Sequence, residues 1–363
     1  MLSPRLKRYL TQILPFGIIW FLFGLIFLIV EFAATKNYNY LPKGVIEVNL
    51  QIFIFAMIAV VFVGFVIGTI EVVFLKRIFA KSTFLKKILG KLAIYSVFLF
   101  IIVIIMFPIA VSIELHTSIT DAVVWQKLSD YLQSIGFLST GFQMFISLAA
   151  SLFYAELSEN IGYGVLANFI RGKYHTPKEE NRIFMFLDMK SSTAIAEQLG
   201  HVTYFKLLKE YYYTLSDAVI THSGEIYQYV GDEMVVSWTY KNGIHNNNCI
   251  ECFFTMKKDL QAKHAKFQKK FGIQPQFKAG LHLGTVTTGE IGNVKKEIIF
   301  TGDVLNATAR IQSLCNALEV DILISKELKG TLQLEAKFQV TSLGDNKLRG
   351  KIQAKELYTL QKK

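Results

Sequence analysis

The chain has 363 residues, of which 52% are hydrophobic and 18% are charged, and its formal net charge is +11. The hydrophobic fraction is higher than is usual for a soluble protein and is concentrated in the first half, which indicates membrane segments. The remaining polar half is long enough for one well-cored domain. Its three cysteines exclude a disulfide framework and suit a reducing compartment.

Four uncharged apolar runs open the chain, at 9–30, 51–70, 92–113 and 131–155. Each reaches the roughly 20 residues that a helix needs to cross a bilayer, so we predict an all-α transmembrane domain of four spans over residues 1–157. The first run is longer than the apolar part of a signal peptide and is therefore interpreted as an anchor. Glu71, near the end of the second run, is expected to reach the membrane interface by snorkelling.

Basic residues are frequent before the first run and between the second and third runs, and they are rarer in the other two connections. The positive-inside rule then predicts four spans with the N- and C-termini in the cytoplasm. We therefore expect an integral protein of the plasma (inner) membrane. The basic excess is explained by orientation in the lipid bilayer, and no nucleic-acid partner is expected.

Residues 158–180 are predicted to connect the membrane domain to the polar half. Apolar residues recur there at near-helical spacing, whereas Gly162, Gly164 and Gly172 weaken a helix and Pro177 disfavours helix at Thr176. A helical connector that pairs with its copy in a dimer and a plain linker fit this segment equally well.

From residue 181 to residue 363, strands and helices mix. The pattern predicts strands at about 183–187, 226–230, 234–238, 276–283, 297–300, 320–324, 337–342 and 353–360, and helices at about 192–199, 203–221, 245–270 and 303–316. The order of these elements predicts an α+β sandwich of the split-βαβ type.

Two aspartates lie where this pattern places the ends of strands. Asp188 follows the strand at 183–187, and Asp232 lies in the turn of a predicted hairpin. Magnesium is typically held by one or two carboxylates plus phosphate oxygens. We therefore hypothesise that the two aspartates meet and hold metal ions for phosphoryl chemistry on a nucleotide. The alternative is an ordinary hairpin turn and a helix cap. Ser191, Ser192 and Thr193 open the next helix, whose free N–H groups suit a phosphate.

Four separate motifs, in order, resemble those of the class III nucleotidyl cyclases, the adenylyl and guanylyl cyclases. They are FLDMKSST at 186–193 with YVGDE at 229–233, the glycine-spaced segment that begins at Gly280, TGDVLNATAR at 301–310, and LRGK at 348–351. The resemblance implies a bacterial, membrane-bound cyclase with a ferredoxin-like βαββαβ core in its catalytic domain. It also implies an adenylate cyclase, a phosphorus–oxygen lyase that serves signal transduction.

The resemblance further implies a homodimer with its sites at the interface. Asp188 and Asp232 of one subunit would bind two divalent cations, Mg²⁺ or Mn²⁺. Asn306 and Arg310 would come from the other subunit, and their i, i+4 spacing puts them on one helix face. Asn306 would position the ribose, and Arg310 would stabilise charge on the α-phosphate. The outer phosphates would be neutralised by two further residues, Arg349 and Lys351.

The residues for base recognition depart from the family pattern. Gln228 stands where adenylyl members carry a purine-reading Lys, and Ile299 stands at the partner position. The amide of Gln228 fits adenine, because it can donate to N1 and accept from the amino group, whereas Ile299 makes no polar contact. ATP is therefore the expected substrate, with GTP as the alternative. A membrane receptor whose cyclase-like domain only binds nucleotide is the alternative from another functional class.

Two further patterns are given structural interpretations. His245, Cys249 and Cys252 have the spacing of half a zinc site, but they fall in a predicted helix at positions that suit small core side chains. His282 lies in the middle of a predicted strand, so we expect a hydrogen-bonded core histidine rather than a catalytic base.

Overall fold

The computed structural model describes residues 3–36, 44–75, 78–79, 83–161, 166, 172–294, 296–350 and 354–363. The chain forms two compact units, Met1–Ala167 and Asn168–Lys363. Two predicted features fall outside the described residues: the middle of the connector, 162–165 and 167–171, and the phosphate-binding Lys351.

The described part of the first unit contains five α-helices: α1 (Pro4–Lys36), α2 (Leu50–Thr69), α3 (Phe84–Leu115), α4 (Ala122–Leu132) and α5 (Ile135–Ile161). Four helical segments are long and apolar enough to cross a membrane, at Pro4–Ala33, Leu50–Leu75, Leu85–Leu115 and Ile135–Asn160. The prediction of four long apolar helices is thus confirmed. The first three segments extend beyond both ends of the runs that predicted them, whereas the fourth begins and ends later than its run.

The fourth span does not begin at residue 131. Tyr131 belongs to the short amphipathic helix α4, which ends three residues before α5 begins. Ser134 explains the break, because its hydroxyl donates to the carbonyl of Tyr131 at 2.7 Å and accepts from the N–H of Phe137 at 3.4 Å. One side chain therefore satisfies free backbone groups at the end of one helix and the start of the next.

The snorkelling prediction for Glu71 is wrong. After α2 the chain continues as a π-helical turn, Ile70–Leu75, and Glu71 is buried inside the bundle. Its carboxylate forms a salt bridge with Lys91 and accepts a hydrogen bond from the Tyr95 hydroxyl at 3.1 Å. A buried charge of this kind is stable only because it is paired.

The second unit begins with β1 (Lys178–Met189), α6 (Ser192–Leu199), α7 (His201–Thr221), β2 (Glu225–Val230), β3 (Glu233–Thr239), α8 (Tyr240–Ile244), α9 (Asn248–Ala262) and α10 (His264–Phe271). It continues with β4 (Phe277–Ile291), β5 (Glu297–Thr301), α11 (Asp303–Ser313), β6 (Ile322–Ser325), α12 (Lys326–Lys329), β7 (Phe338–Lys347) and β8 (Ala354–Lys362). The eight predicted strands are all present, and the four predicted helical segments correspond to five helices, α6, α7, α9, α10 and α11, whereas the short helices α8 and α12 were not predicted. The helix predicted over 245–270 is two helices, because the chain breaks at Lys263 and thereby turns Phe267 and Phe271 into the core.

The sheet has the strand order β2-β3-β1-β4-β6-β8-β7, and β5 pairs with β4. Its first part, β1 to β4 with helices between β1 and β2 and between β3 and β4, has the order β2-β3-β1-β4 of a ferredoxin-like βαββαβ core. The predicted α+β fold is therefore confirmed. The pairs within this core are antiparallel, whereas β4 and β6 are parallel.

Strand β1 is covered on both faces. Ile183, Met185 and Leu187 belong to the main core with α7 and α9, whereas Phe184 and Phe186 pack in a second cluster with Val304 of α11. Burial on both faces explains why this strand is a continuous apolar run rather than an alternating one.

Candidate active site

Asp188 and Asp232 meet at one end of the sheet. Asp188 is in register with Glu233 of β3, which places it beside the β2–β3 turn that carries Asp232. Gly231 in that turn has φ of +60°, a conformation that glycine adopts without strain. The two carboxylates are close enough to share a hydrogen bond when one is protonated. The structure thus brings together the two side chains for which the sequence predicted a common site.

The carboxylates of Asp188, Asp232 and Glu233 repel one another at this end of the sheet. Burial and then the Asp232 carboxylate raise the pKa of Asp188 from 3.8 to about 6. Burial and the same two aspartates raise the pKa of Glu233 to about 7. One oxygen of Asp232, Oδ2, is buried and accepts no hydrogen bond from the described part of the chain. The one ammonium group paired with Asp188, that of Lys278, therefore does not offset burial and the repulsion between these carboxylates.

A divalent cation fits this arrangement on chemical grounds. Carboxylate oxygens are hard ligands of the kind that Mg²⁺ prefers, and the buried Oδ2 atom of Asp232 has a free acceptor position. No group of three or more His, Cys, Asp or Glu side chains among the described residues is arranged to hold an ion alone. A cation held here would therefore complete its shell with other oxygens, such as those of phosphates and water.

Tyr212 of α7 is a further part of the site that the sequence did not predict. Its hydroxyl lies 2.8 Å from the carbonyl oxygen of Gly231 and 3.2 Å from that of Glu233. Its ring packs against Tyr229 with 4.5 Å between ring centroids. These contacts fix the turn on both sides of Asp232. The signal in the sequence is weak, because Tyr212 is the middle of three consecutive tyrosines on a helix that packs on the sheet.

Lys278 and Gln312 also contact Asp188 and were not predicted. Lys278 is the register partner of Asp188 on β4, and its Nζ atom lies 3.4 Å from Asp188 Oδ2. The side-chain amide of Gln312 lies 3.4 Å from the same oxygen. A Cβ atom at Gly280 would lie 2.4 Å from the backbone nitrogen of Gln312, so the close approach of α11 to β4 requires glycine there. Lys278 and Gln312 are both buried. A buried Lys beside a carboxylate is a candidate phosphate ligand.

Arg310 points away from this carboxylate pair. Residues two apart on an α-helix differ by about 200° in direction, so Arg310 and Gln312 project from nearly opposite sides of α11. The Arg310 guanidinium instead lies beside Gly350, with Nη2 3.6 Å from where a Cβ atom would be. Asn306 is one turn before Arg310 and is exposed. Arg349, next to Gly350, is exposed as well, so the structure groups three of the predicted residues at a second place.

The predicted base-recognition residues lie on two strands that contact each other. Tyr227 and Phe300 pack at 4.8 Å between ring centroids, and the Phe300 N–H donates to the Tyr227 hydroxyl oxygen at 3.3 Å. Gln228, next to Tyr227, is exposed, and Ile299, next to Phe300, is half-buried. The segments that carry Gln228 and Ile299 therefore contact each other within a single chain.

The predicted phosphate-binding residues Ser191, Ser192 and Thr193 directly follow the end of β1. Ser191 has φ of +55°, an unusual value for a serine, and precedes the first turn of α6. Its side chain makes no capping hydrogen bond to that helix. The first N–H groups of α6 therefore begin a few residues from Asp188, as the sequence predicted.

The remaining histidine and cysteines have structural environments. His282 is buried and its Nδ1 atom lies 2.7 Å from the Ser325 hydroxyl, which confirms the predicted core histidine. Cys249 and Cys252 are buried in the main core, and burial raises the pKa of Cys249 to about 12. His245 is exposed on a short 3₁₀ turn before α9.

Comparison with known proteins identifies the second unit. The profile of the adenylate and guanylate cyclase catalytic domain matches residues 174–362. Adenylate cyclase 2 of Rhizobium meliloti is 32% identical over 200 residues, a match that spans 55% of each chain. Adenylate cyclase 1 of the same organism is 27% identical over 180 residues, which are 48% of this chain and 26% of the relative. The matches thus span about half or less of the length of these relatives.

The fold agrees with that assignment. The structure of a bacterial light-regulated adenylyl cyclase superposes with a TM-score of 0.52 at 20% identity, covering 60% of this chain and 64% of that one. At 20% sequence identity, this structural similarity supports the fold alone. Since the family profile covers more than half of the chain and its motifs carry the facing carboxylates, the chain belongs to the adenylate and guanylate cyclase catalytic domain family.

Proposed function

We propose that this protein is a membrane-bound adenylate cyclase that converts ATP to 3′,5′-cyclic AMP and pyrophosphate at a homodimer interface. One observation carries this proposal: the side chains expected to act together form two half-sites that face away from each other. The Asp188–Asp232 pair lies on the Gln312 side of α11, whereas Arg310 lies on the opposite side, beside Gly350. A twofold dimer joins such half-sites, because each subunit then supplies a different half to each site.

In the first half-site, Asp188 and Asp232 are proposed to hold two divalent cations, Mg²⁺ or Mn²⁺. When bound, the cations would lower the pKa of the ribose 3′-hydroxyl and neutralise charge on the triphosphate. Lys278 would turn from Asp188 toward a phosphate oxygen, and the N–H groups that follow Ser191 would donate to phosphates. Tyr212 would keep the Asp232 turn in place.

In the second half-site, Asn306 is proposed to orient the ribose and Arg310 to stabilise the charge that develops on the α-phosphate. Arg349 and Lys351 would neutralise the outer phosphates. Gln228 would recognise adenine through its amide, with Ile299 against the base as an apolar contact. The names of the curated relatives favour ATP over GTP.

The homodimer is supported by apolar side chains that one catalytic unit leaves exposed. Val202 and Phe205 at the start of α7 are each 70% exposed, and Tyr229 and Val230 beside the Asp232 turn are about half exposed. Exposed apolar residues near a charged site are typical of a protein interface. A second copy of this surface would bury them and close the site to water.

The membrane proposal follows from the four candidate spans and from the basic residues between them. We propose a membrane domain at 1–157, a connector at 158–180 and a catalytic domain at 181–363, with both termini in the cytoplasm of the plasma (inner) membrane. Lys87 and Lys91, at the start of α3, belong to the basic connection on that side. Cytoplasmic ATP then reaches the catalytic domain, and the product serves signal transduction.

The test is turnover by the purified full chain in detergent or lipid discs, offered ATP or GTP with Mn²⁺, with the cyclic product identified by mass. Cyclic AMP from ATP, lost in Asp188→Asn and retained in the exposed-surface variant Lys269→Asn, is expected. Cyclic GMP from GTP would establish the guanylate cyclase alternative. Nucleotide binding without turnover in the wild-type chain would establish the non-catalytic receptor instead.

A further inference from the structure

The first unit contains a cavity of about 210 Å³ among its helices. The cavity lies toward the end of the bundle where α1 and α3 end and α2 and α5 begin. Aliphatic and aromatic side chains form most of its wall, including Trp20, Phe55 and Met106. Polar groups reach it from Glu31, Tyr131, Thr140 and Gln143. All four candidate spans contribute to the wall, so the cavity is a property of the folded bundle.

Part of the cavity wall is formed by the segment 44–49, which contacts two helices. Gly44 has φ of +85°, and a Cβ atom there would lie 2.6 Å from the backbone nitrogen of Tyr131, so only glycine permits the contact. The N–H of Glu47 donates to Glu114 Oε1 at 2.8 Å, and Lys127 pairs with Glu114 Oε2 at 2.5 Å. The segment is thereby tied to both α3 and α4. Val45, Ile46 and Val48 of the segment line the cavity.

The size and polarity of the cavity define the chemistry of a ligand. A dry cavity of about 150 Å³ lined by apolar side chains admits benzene, so this larger one admits an apolar body of roughly eight carbon atoms. A hydrogen-bonding group is matched by the Tyr131 hydroxyl, which donates to Thr140 Oγ1 at 2.7 Å and still has acceptor capacity. The Tyr131 ring is held in place by stacking on Phe107, with 4.0 Å between ring centroids.

The charge of the lining selects against an anion. Glu31 is the one described lining residue with a formal charge at neutral pH, and it already has an interaction partner. A carboxylate ligand would meet a like charge and no cation in a medium of low dielectric constant. A cationic ligand would have to approach Glu31 where that residue already interacts with a neighbour. An uncharged amphiphile has neither cost.

We propose that this cavity is a binding site for an uncharged, medium-chain amphiphile that enters from the bilayer and places its hydrogen-bonding group beside Tyr131. The site lies in the first unit, whereas the cyclase half-sites lie in the second; ligand entry rests on the proposed membrane location and does not depend on the proposed cyclase activity.

The experiment uses the full chain in lipid discs and an octanol analogue that carries a photoreactive diazirine. After irradiation and digestion, labelled peptides are identified by mass spectrometry. We expect saturable labelling of peptides from α1, α2 and α3 that line the cavity, and competition by excess unlabelled 1-octanol. Labelling that rises linearly with probe and resists competition would show partition into lipid only and would overturn the proposal.

Two variants and one probe sharpen the result. Ala59→Phe fills the cavity from α2 and should reduce labelling about tenfold. Ala33→Phe, at an exposed position of α1, should leave it unchanged. An octanoate probe with the same diazirine should label the wild-type cavity about tenfold less than the alcohol. Equal labelling of wild type and Ala59→Phe would refute the location, and equal labelling by octanoate would refute the charge argument. The competition experiment on the wild type decides the proposal even if Ala59→Phe fails to fold.

Discussion

Two inactive variants of the catalytic unit should restore activity to each other. Asp232→Ala removes a carboxylate from the first half-site, and Arg310→Ala removes the cation from the second. Each variant alone should lose at least about a hundredfold in kcat, the usual cost of one transition-state contact. In the proposed dimer the two losses fall on the same site of a mixed dimer and leave the other site intact, because Arg310 faces Gly350 while Gln312, on the other side of α11, contacts Asp188.

The size of the rescue follows from counting sites. Random assortment of equal amounts of the two chains makes about half of the dimers mixed, and one of the two sites in each mixed dimer is intact. Co-expression should therefore recover about a quarter of wild-type activity per dimer. Purification through two different affinity tags isolates the mixed dimer, which should reach about half.

The assay is cyclic AMP formation by the co-expressed, detergent-solubilised chains at saturating ATP and Mn²⁺. The matched control combines Asp232→Ala with Asp188→Ala, two changes in the same half-site, and both sites of that mixed dimer are damaged. Rescue in the control, or no rescue with Arg310→Ala, would refute the assignment of the two half-sites to different subunits.

Three further predictions concern the carboxylate end of the sheet. Tyr212→Phe removes hydrogen bonds worth about 0.5–1.5 kcal/mol each, so the Mn²⁺ concentration for half-maximal activity should rise about tenfold. Tyr213→Phe, at an exposed neighbouring position, should not change that concentration. Equal Mn²⁺ concentrations in the two variants would contradict the role given to Tyr212. Gly280→Ala places a Cβ atom 2.4 Å from the backbone of Gln312 and should lower the free energy of unfolding by at least about 1–3 kcal/mol, measured as a lower thermal midpoint. In Gly330→Ala the new Cβ atom meets its nearest neighbour at 3.5 Å, so the midpoint should not change. An unchanged midpoint in Gly280→Ala would contradict the close approach of α11 to β4. The pKa of Asp188 is about 6 in the folded chain and 3.8 ordinarily, so the unfolded chain loses this proton at lower pH than the folded chain does. In EDTA the thermal midpoint should therefore fall as the pH rises from about 4 to 6. The fall should be smaller in Asp232→Asn, which lacks the neighbouring carboxylate.

The sequence by itself determined the features that depend on local pattern. Uninterrupted hydrophobicity predicted the four long apolar helices, and the alternation of strands, helices and turns predicted the α+β fold. Asp188 and Asp232 were predicted as partners because each follows or joins a strand, where the backbone fixes a side chain at the sheet edge. Prediction from local pattern failed where the partner of a side chain is set by the packing of distant helices. Glu71 was expected at the interface, yet it pairs with Lys91 inside the bundle.

Only the tertiary structure decided which distant residues share the site. Gln312 contacts Asp188 across 124 residues of chain, and Lys278 reaches it through the register of β4 on β1. No periodicity encodes such a contact, because register and helix placement are set by packing of the whole sheet, including the close approach at Gly280. The same packing turns Arg310 away from the carboxylates. The sequence supplies the chemical groups, and the fold decides which of them one chain can bring together.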